Sequence, residues 1–419
     1  MLMNFQLDVI IVVGETQNPQ RISFYTDTGE TKIVIEDPLV GKELVFKVNY
    51  YRRSEGVEEG KQFREFLNYT YTLHFKVLEL SIKEARVRIW TTDIEVNADN
   101  PEIEENVKSS LKASEKGERS LPINAVGTYI RDIINEIKNL ERSLGVYIPI
   151  SISVDVFKDI PIINVTAKGK GSFLYRGAPG NYSIDFKGYY DLLFSTPIYM
   201  KSHLRINVEG GQQGIKGHLE LKTSTKLIKG YEHISLNLKA KYLTIKLTNN
   251  SICHMILISR NTMLKSIEKK ESTLTIVASG EGIGSLTIIT PININIKSIK
   301  IDGEETVFQT TEIMNKFIFI SVPAISMSAH TIMIEFDRNI MDVKIEEKSL
   351  FKAISEKKEI QPTITTRETP TEELNTTTEE VTAATEKVKE LLPPLDMKII
   401  LMIASLILAV LIVVLIKRR

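Results

Sequence analysis

Catalytic or metal chemistry in this chain would have to come from few side chains. There are six histidines (His74, His203, His218, His233, His254 and His330) and a single cysteine, Cys253. No two histidines sit at the short spacing of a metal-ligating pair, and there is no His-Glu-x-x-His run. Cys253 and His254 are adjacent in a strand-like stretch, so their side chains point to opposite faces and cannot form a thiol–imidazole dyad. Followed by Met255 and Leu257, Cys253 reads as a buried small hydrophobe. The carboxylate pairs Glu58/Glu59 and Glu104/Glu105 lie in charged stretches and read as solvated surface. Dispersed carboxylates would have to converge in the fold to make a glycoside-hydrolysing pair. The chain has no Gly-x-Ser-x-Gly, phosphate-loop or kinase signature. The run Gly280-x-Gly282-x-Gly284 lies between strand patterns and not before a helix, which predicts a hairpin loop and not a dinucleotide fingerprint. No catalytic, cofactor-binding or metal-binding residue is assigned, and no cofactor is expected.

Two other residue sets have a chemical meaning. Acceptor sequons for N-linked glycans occur at Asn68, Asn164, Asn181, Asn249 and Asn375. Between 201 and 246 the chain is rich in base: Lys201, Arg205, Lys216, Lys222, Lys226, Lys229, Lys239, Lys241 and Lys246. Such a band could meet an anionic partner, or serve as the solvated, lysine-protected face of a sheet. Without interleaved aromatic stacking positions it does not read as a nucleic-acid surface. The balance of 53 Lys+Arg against 53 Asp+Glu points the same way, because phosphate binding needs a basic surface.

The elements that must position these residues are mostly strands. Residues 1–345 carry period-2 runs rich in Ile, Val, Tyr, Phe and Thr, notably over 43–51, 69–82 and 84–96. The polar stretch 97–120 reads as a loop or insertion. One amphipathic helix follows: Ile130, Ile133, Ile134, Ile137, Leu140 and Leu144 recur at helical spacing, and Gly145 sits where a helix ends. Strands resume at Tyr147. The apolar face shifts from Ile234, Leu236, Leu238 and Ala240 to Leu243, Ile245 and Leu247, which predicts a bulge or corner near Tyr242.

The C-terminal part changes character. Thr, Glu and Pro dominate 355–396, which has little to bury and reads as an extended stalk. Residues 399–416 (IILMIASLILAVLIVVLI) carry no charge, Pro or Gly. At about 1.5 Å per residue they span about 27 Å, enough for a bilayer core and contact with membrane lipid. Lys417, Arg418 and Arg419 form a basic flank that predicts a cytoplasmic C-terminus, with the rest outside the cell. The N-terminus has no basic n-region. Either a signal lies upstream of Met1, or the chain is tail-anchored with its N-terminal part in the cytoplasm.

Residues 249–337 resemble the immunoglobulin-like β-sandwich module of archaeal cell-surface proteins. The matching positions are Gly280, Gly282 and Gly284, then Thr290–Pro291, the turn Ile301-Asp302-Gly303, and Ser328, His330, Ile332 and Ile334. The resemblance implies a surface module beside a C-terminal anchor, and it implies no catalysis.

The fold expected is mainly β: a multi-domain antiparallel sheet or sandwich with one amphipathic helix, a stalk and a single transmembrane helix. Its parts are a β domain (1–120), a helix-plus-β domain (121–247) that can be continuous with the first, a sandwich (248–345), the stalk (346–396) and the anchor (397–419). The function expected first is structural or adhesive display, with a surface-layer protein or glycan as partner. A lipid- or solute-binding half-barrel is the alternative, marked by a large apolar cavity between 125–144 and the sheet. A surface glycan hydrolase is the third, marked by two buried carboxylates in one cleft.

Overall fold

A computed structural model describes residues 23–354, apart from 28–29, 35–36, 59–60, 82–83, 114–117, 124–125, 176, 195, 211–214 and 327. In chain order, a hairpin of β1 (Ser23–Asp27) and β2 (Glu30–Val34) precedes β3 (Glu43–Glu58), β4 (Lys61–Leu80) and β5 (Glu84–Ala98). Next come α1 (Pro101–Ala113), β6 (Glu118–Pro122) and α2 (Val126–Leu144). A second meander follows: β7 (Ile150–Phe157), β8 (Ile160–Tyr175), β9 (Ala178–Asp191), β10 (Pro197–Gly210) and β11 (Ile215–Lys229). The short α3 (Tyr231–Ser235) leads to β12 (Leu238–Leu247), β13 (Ile252–Lys270) and β14 (Thr273–Pro291). Then come β15 (Ile296–Ile301), β16 (Glu304–Glu305), β17 (Gln309–Ile313), β18 (Phe317–Ser326), β19 (Ala329–Phe336), β20 (Ile340–Glu346) and β21 (Lys352–Ile354).

The protein is mainly β, with two large antiparallel sheets. The first has ten strands in the order β21-β7-β8-β9-β10-β11-β3-β4-β5-β6. Its two meanders join where β11 pairs with β3, so the sheet runs without a break across the 120/121 boundary expected from sequence. Alternation explains its faces: Tyr182, Phe186 and Tyr190 of β9 are buried while Asn181, Ser183 and Lys187 are exposed. Helix α2 packs on the inner face, burying Ile133, Ile137, Leu140 and Leu144. On its other side α2 meets β17 and β18, where Gly127 lies against Thr311.

The second sheet has nine strands. The long β13 and β14 form its spine, and β14 pairs with β19 over its first half and β18 over its second. Its core contains Leu286, Ile288, Ile332, Ile334 and Phe336, all fully buried. Ile256, Ile258, Ile283 and Ile289, on the opposite face, belong to the core of the first sheet.

Several elements differ from the sequence expectations. Of the two readings of 97–120, a loop or an insertion, the structure shows an insertion: α1 lies between the paired strands β5 and β6. Asn100 caps α1, its Oδ1 accepting the Glu102 N–H at 2.8 Å, and Val107 and Leu111 pack against the core. The apolar side chains are sparse there, which is why the period was illegible. Residues 231–235 form α3, with Leu236 exposed, so the strand begins only at Leu238. No bulge interrupts the β12–β13 ladder at Tyr242. The flip arises because β12 is buried on both sides: Leu238 and Tyr242 face the first core, and Leu243, Ile245 and Leu247 the second.

The glycine run is not a hairpin, because β14 passes straight through it. It is a bend at which the strand changes partner, and Gly282 adopts φ +67°. The other positions of the resemblance behave as turn and strand: Asp302 and Gly303 are left-handed between β15 and β16, and Ile332 and Ile334 are buried in β19.

The stalk boundary also moves. Residues 352–354 form β21, which pairs with β7, and Phe351 is buried edge-on against Phe317 and Phe319. The remaining stalk, the 399–416 segment and the basic flank lie outside the described residues. Among the described residues, no helix is long and apolar enough to cross a membrane.

Candidate ligand-binding cavity

Between α2 and the first sheet lies a cavity of about 220 Å³. Its walls come from β3–β6, β9–β11, α2 and α3: Leu44, Phe46, Phe75, Phe186, Leu204 and Ile137 are representative. These strands are consecutive neighbours in the sheet. Laid flat, they would span roughly 29 Å at about 4.8 Å per strand. A helix is only about 10 Å wide, so the sheet must curve around α2 for all of them to line one space. The sequence separates these residues by up to 190 positions or so, which is why no local pattern revealed the cavity.

The lining is apolar with few polar groups. Among the described residues its charged lining is Asp132 and Glu136, one helical turn apart on α2, with no Lys or Arg. Asp132 pairs with Arg131 at 3.3 Å. Burial raises the Glu136 carboxyl above its ordinary range, opposed by a hydrogen bond with Asn139 and reinforced by the nearby Asp132 charge. Tyr190, Thr196, Ser202 and Thr225 supply hydroxyls, and the Ser202 Oγ is already bonded to the Thr223 hydroxyl at 2.9 Å.

The wall between β9 and β10 is fixed by Asp191, which is fully buried. Its carboxylate accepts the N–H groups of Leu193 (3.0 Å), Phe194 (2.6 Å) and Thr196 (2.6 Å). Phe194 and Thr196 line the cavity, so this one side chain sets their position. Burial pushes the Asp191 carboxyl up to about 6, although the three N–H donors pull it down. Nothing in the local sequence marked Asp191.

The histidines are scattered over the two sheets and, for His233, the short helix α3. The His74 Nδ1 lies 2.6 Å from Glu43 and its ring stacks on Trp90. His203 lies 2.9 Å from Glu220, His218 2.5 Å from Asn207, and His233 3.4 Å from Glu232. His330 sits 2.5 Å from Asp302, and His254 meets the Phe351 ring edge-on. Cys253 is fully buried in the second core, on the side opposite His254, and burial raises its thiol to about 11. Among the described residues no three His, Cys, Asp or Glu side chains group as a metal site.

Among the described residues four acids are buried, and they do not converge in one cleft. Asp37 meets Arg260, Glu141 meets Lys138 and the Ile148 N–H, Asp191 holds its turn, and Glu220 meets Arg205.

The basic band is split. Lys201, Arg205, Lys216, Lys222, Lys226 and Lys229 belong to β10 and β11, whereas Lys239, Lys241 and Lys246 belong to β12 of the second sheet. Glu220 gathers Arg205 (2.8 Å), His203 (2.9 Å) and Lys222 (3.1 Å), and these partners hold its carboxyl down to about 2 despite burial. Within the band Lys222 lies over Tyr51 at 4.8 Å, and on β9, outside the band, Lys187 lies over Tyr189 at 4.9 Å. Tyr51 comes from β3, the neighbouring strand, so the linear sequence could not show that contact.

Of the sequons, Asn181 and Asn249 are exposed, Asn68 and Asn164 are half-buried within strands, and Asn375 lies outside the described residues.

No protein-family model matches the chain, and no curated protein matches it in sequence. Among solved structures the chain is similar to MucB, at 8% identity over 71% of this chain and 90% of that one, with a TM-score of 0.13. It is also similar to an AttH protein from Nitrosomonas europaea, at 8% identity over 70% and 92%, with a TM-score of 0.10.

Proposed function

We propose that the described part of the protein binds a small apolar or amphiphilic molecule in the cavity between α2 and the first sheet. The observation that carries this reading is an apolar space of about 220 Å³ at the centre of a curved sheet. A well-packed interior leaves few voids larger than a water molecule. An apolar cavity of about 150 Å³ already holds benzene, so this one has room for an aliphatic chain of about eight carbons. The apolar segment 399–416 and the Thr-rich stretch before it would tether this module beside a bilayer, a source of such ligands. This ligand-binding reading takes precedence over plain display because display needs no cavity.

The test is titration of the full-length chain with the neutral fluorophore N-phenyl-1-naphthylamine. Saturable binding, displaced by octyl-chain compounds, is the expected result. Leu204→Trp and Leu221→Phe fill the space from two strands and should abolish binding; with an empty space to enter, they should escape the cost of about 1–3 kcal/mol that overpacking a filled core brings. Absence of binding by the wild type, or unchanged binding by both variants, refutes the reading.

A further inference from the structure

Tyr190 is 2% exposed and its hydroxyl has no hydrogen-bond partner among the described residues. Several buried polar atoms share that condition, but among the described residues only Tyr190 also lines the cavity. The ring lies flat along the inner face over Gly188. A Cβ at Gly188 would stand 2.7 Å from a ring carbon and 2.9 Å from the hydroxyl oxygen, so a glycine is needed there. Gly188 faces Met200 in the ladder, and Met200 faces Thr225, another lining residue. The hydroxyl therefore lies buried over Gly188 on the sheet face, at the edge of the cavity that the Tyr190 side chain lines.

A buried hydroxyl that donates to nothing has lost its hydration without a replacement bond. A purely hydrocarbon ligand would leave that loss in place. A ligand with a carbonyl in its chain would make it good, since the phenol O–H can donate to that oxygen. At the α2 wall the charge contributed by the described lining residues is of one sign. Asp132 and Glu136 are carboxylates, Asp132 is partly offset by Arg131, and no ion pair among the described residues includes Glu136. An anionic head there meets like charge in a partly apolar setting, where repulsion is weakly screened.

Resting on the cavity reading above, we propose that the ligand is a neutral amphiphile with an ester or amide carbonyl. Tyr190 donates to that carbonyl, and Asp132 and Glu136 turn away anionic heads such as a free carboxylate.

The test uses the full-length chain and three probes of equal chain length: 1-monooctanoylglycerol, its ether analogue 1-O-octylglycerol, and octanoate. Affinities are read by displacement of N-phenyl-1-naphthylamine. The ester should bind about 3- to 10-fold tighter than the ether, the span of one net hydrogen bond. Tyr190→Phe should erase that ratio, and an unfolding midpoint equal to or above the wild type's shows that the variant folds. Octanoate should bind at least 10-fold more weakly than the ester, and Asp132→Asn with Glu136→Gln should recover most of that loss. Equal ester and ether affinity in the wild type, as when water satisfies Tyr190, overturns the carbonyl assignment and leaves the cavity reading standing. A ratio that survives in Tyr190→Phe does the same. Octanoate binding as tightly as the ester overturns the role of the two acids. Failure of all three probes, together with failure of the fluorophore, overturns the cavity reading itself.

Discussion

Asp37 and Arg260 are 223 positions apart in the chain and 3.4 Å apart in the fold, with side chains 1% and 3% exposed. Arg260 also donates to the carbonyls of Leu236 and His233, and Asp37 accepts the N–H groups of Leu39 and Ile283. The pair thus ties the segment before β3 to α3 and to the bend of β14. Removing one partner strands a buried charge. Asp37→Ala should cost about 3–5 kcal/mol of stability. Replacing both, as Asp37→Leu with Arg260→Met, should cost less than the single change. A double-mutant cycle from urea unfolding checks it, and simple additivity would refute the coupling.

The bend that receives this pair depends on its glycines. A Cβ at Gly280 would fall 1.9 Å from the Ser259 Oγ, and one at Gly282, already at φ +67°, 2.9 Å from the Asp37 carboxylate. Gly280→Ala should destabilise by about 1–3 kcal/mol through overpacking. Adding Ser259→Ala should restore part of that, because the clashing oxygen is gone. Thermal unfolding of the two variants and their combination is the measurement, and no rescue would refute the contact.

Asp191 gives a pH dependence with a definite sign. Its folded carboxyl sits at about 6 against 3.8 when unfolded. The folded state therefore holds the proton more tightly, and this contribution is full below about pH 3.8 and lost as pH rises through 6. It is worth roughly 2–3 kcal/mol. Urea midpoints measured from pH 4 to 7 should fall across that window. In Asp191→Asn this component should vanish, with a penalty for the lost acceptor of the Thr196 N–H. An unchanged slope in Asp191→Asn would show that another group governs the profile.

Cys253 should be chemically silent in the native state. It is fully buried and its thiol is raised to about 11, whereas the reactive species is the thiolate. A chromogenic disulfide reagent at pH 8 should label no thiol natively and one per chain in guanidinium. Rapid native labelling would contradict its place in the second core.

Much of this architecture was legible because its signals are local. Alternation over 43–51 and 84–96 marks strands, and the spacing of Ile130, Ile133, Ile134 and Ile137 marks α2, since periods of 2 and 3.6 repeat within one element. Helix α1 escaped because its sequence is mostly polar, and its marks were Asn100, Pro101 and the acids of the first turn. At β12 the pattern was real but ambiguous. A face change from Leu238 and Tyr242 to Leu243 can mean a bulge or burial on both sides, and only the second sheet lying against the first decides between them.

The sequence by itself determined the β-rich head, the amphipathic helix, the Thr-rich stretch and the apolar C-terminal segment. Tertiary structure alone decided that two meanders join through β11 and β3 into one curved sheet, and that α2 roofs it over a cavity. It alone set Tyr190, Asp132 and Glu136 on the same space. The reason is physical: side chains on separate strands meet through pairing and curvature, and neither leaves a trace in the spacing of residues along the chain.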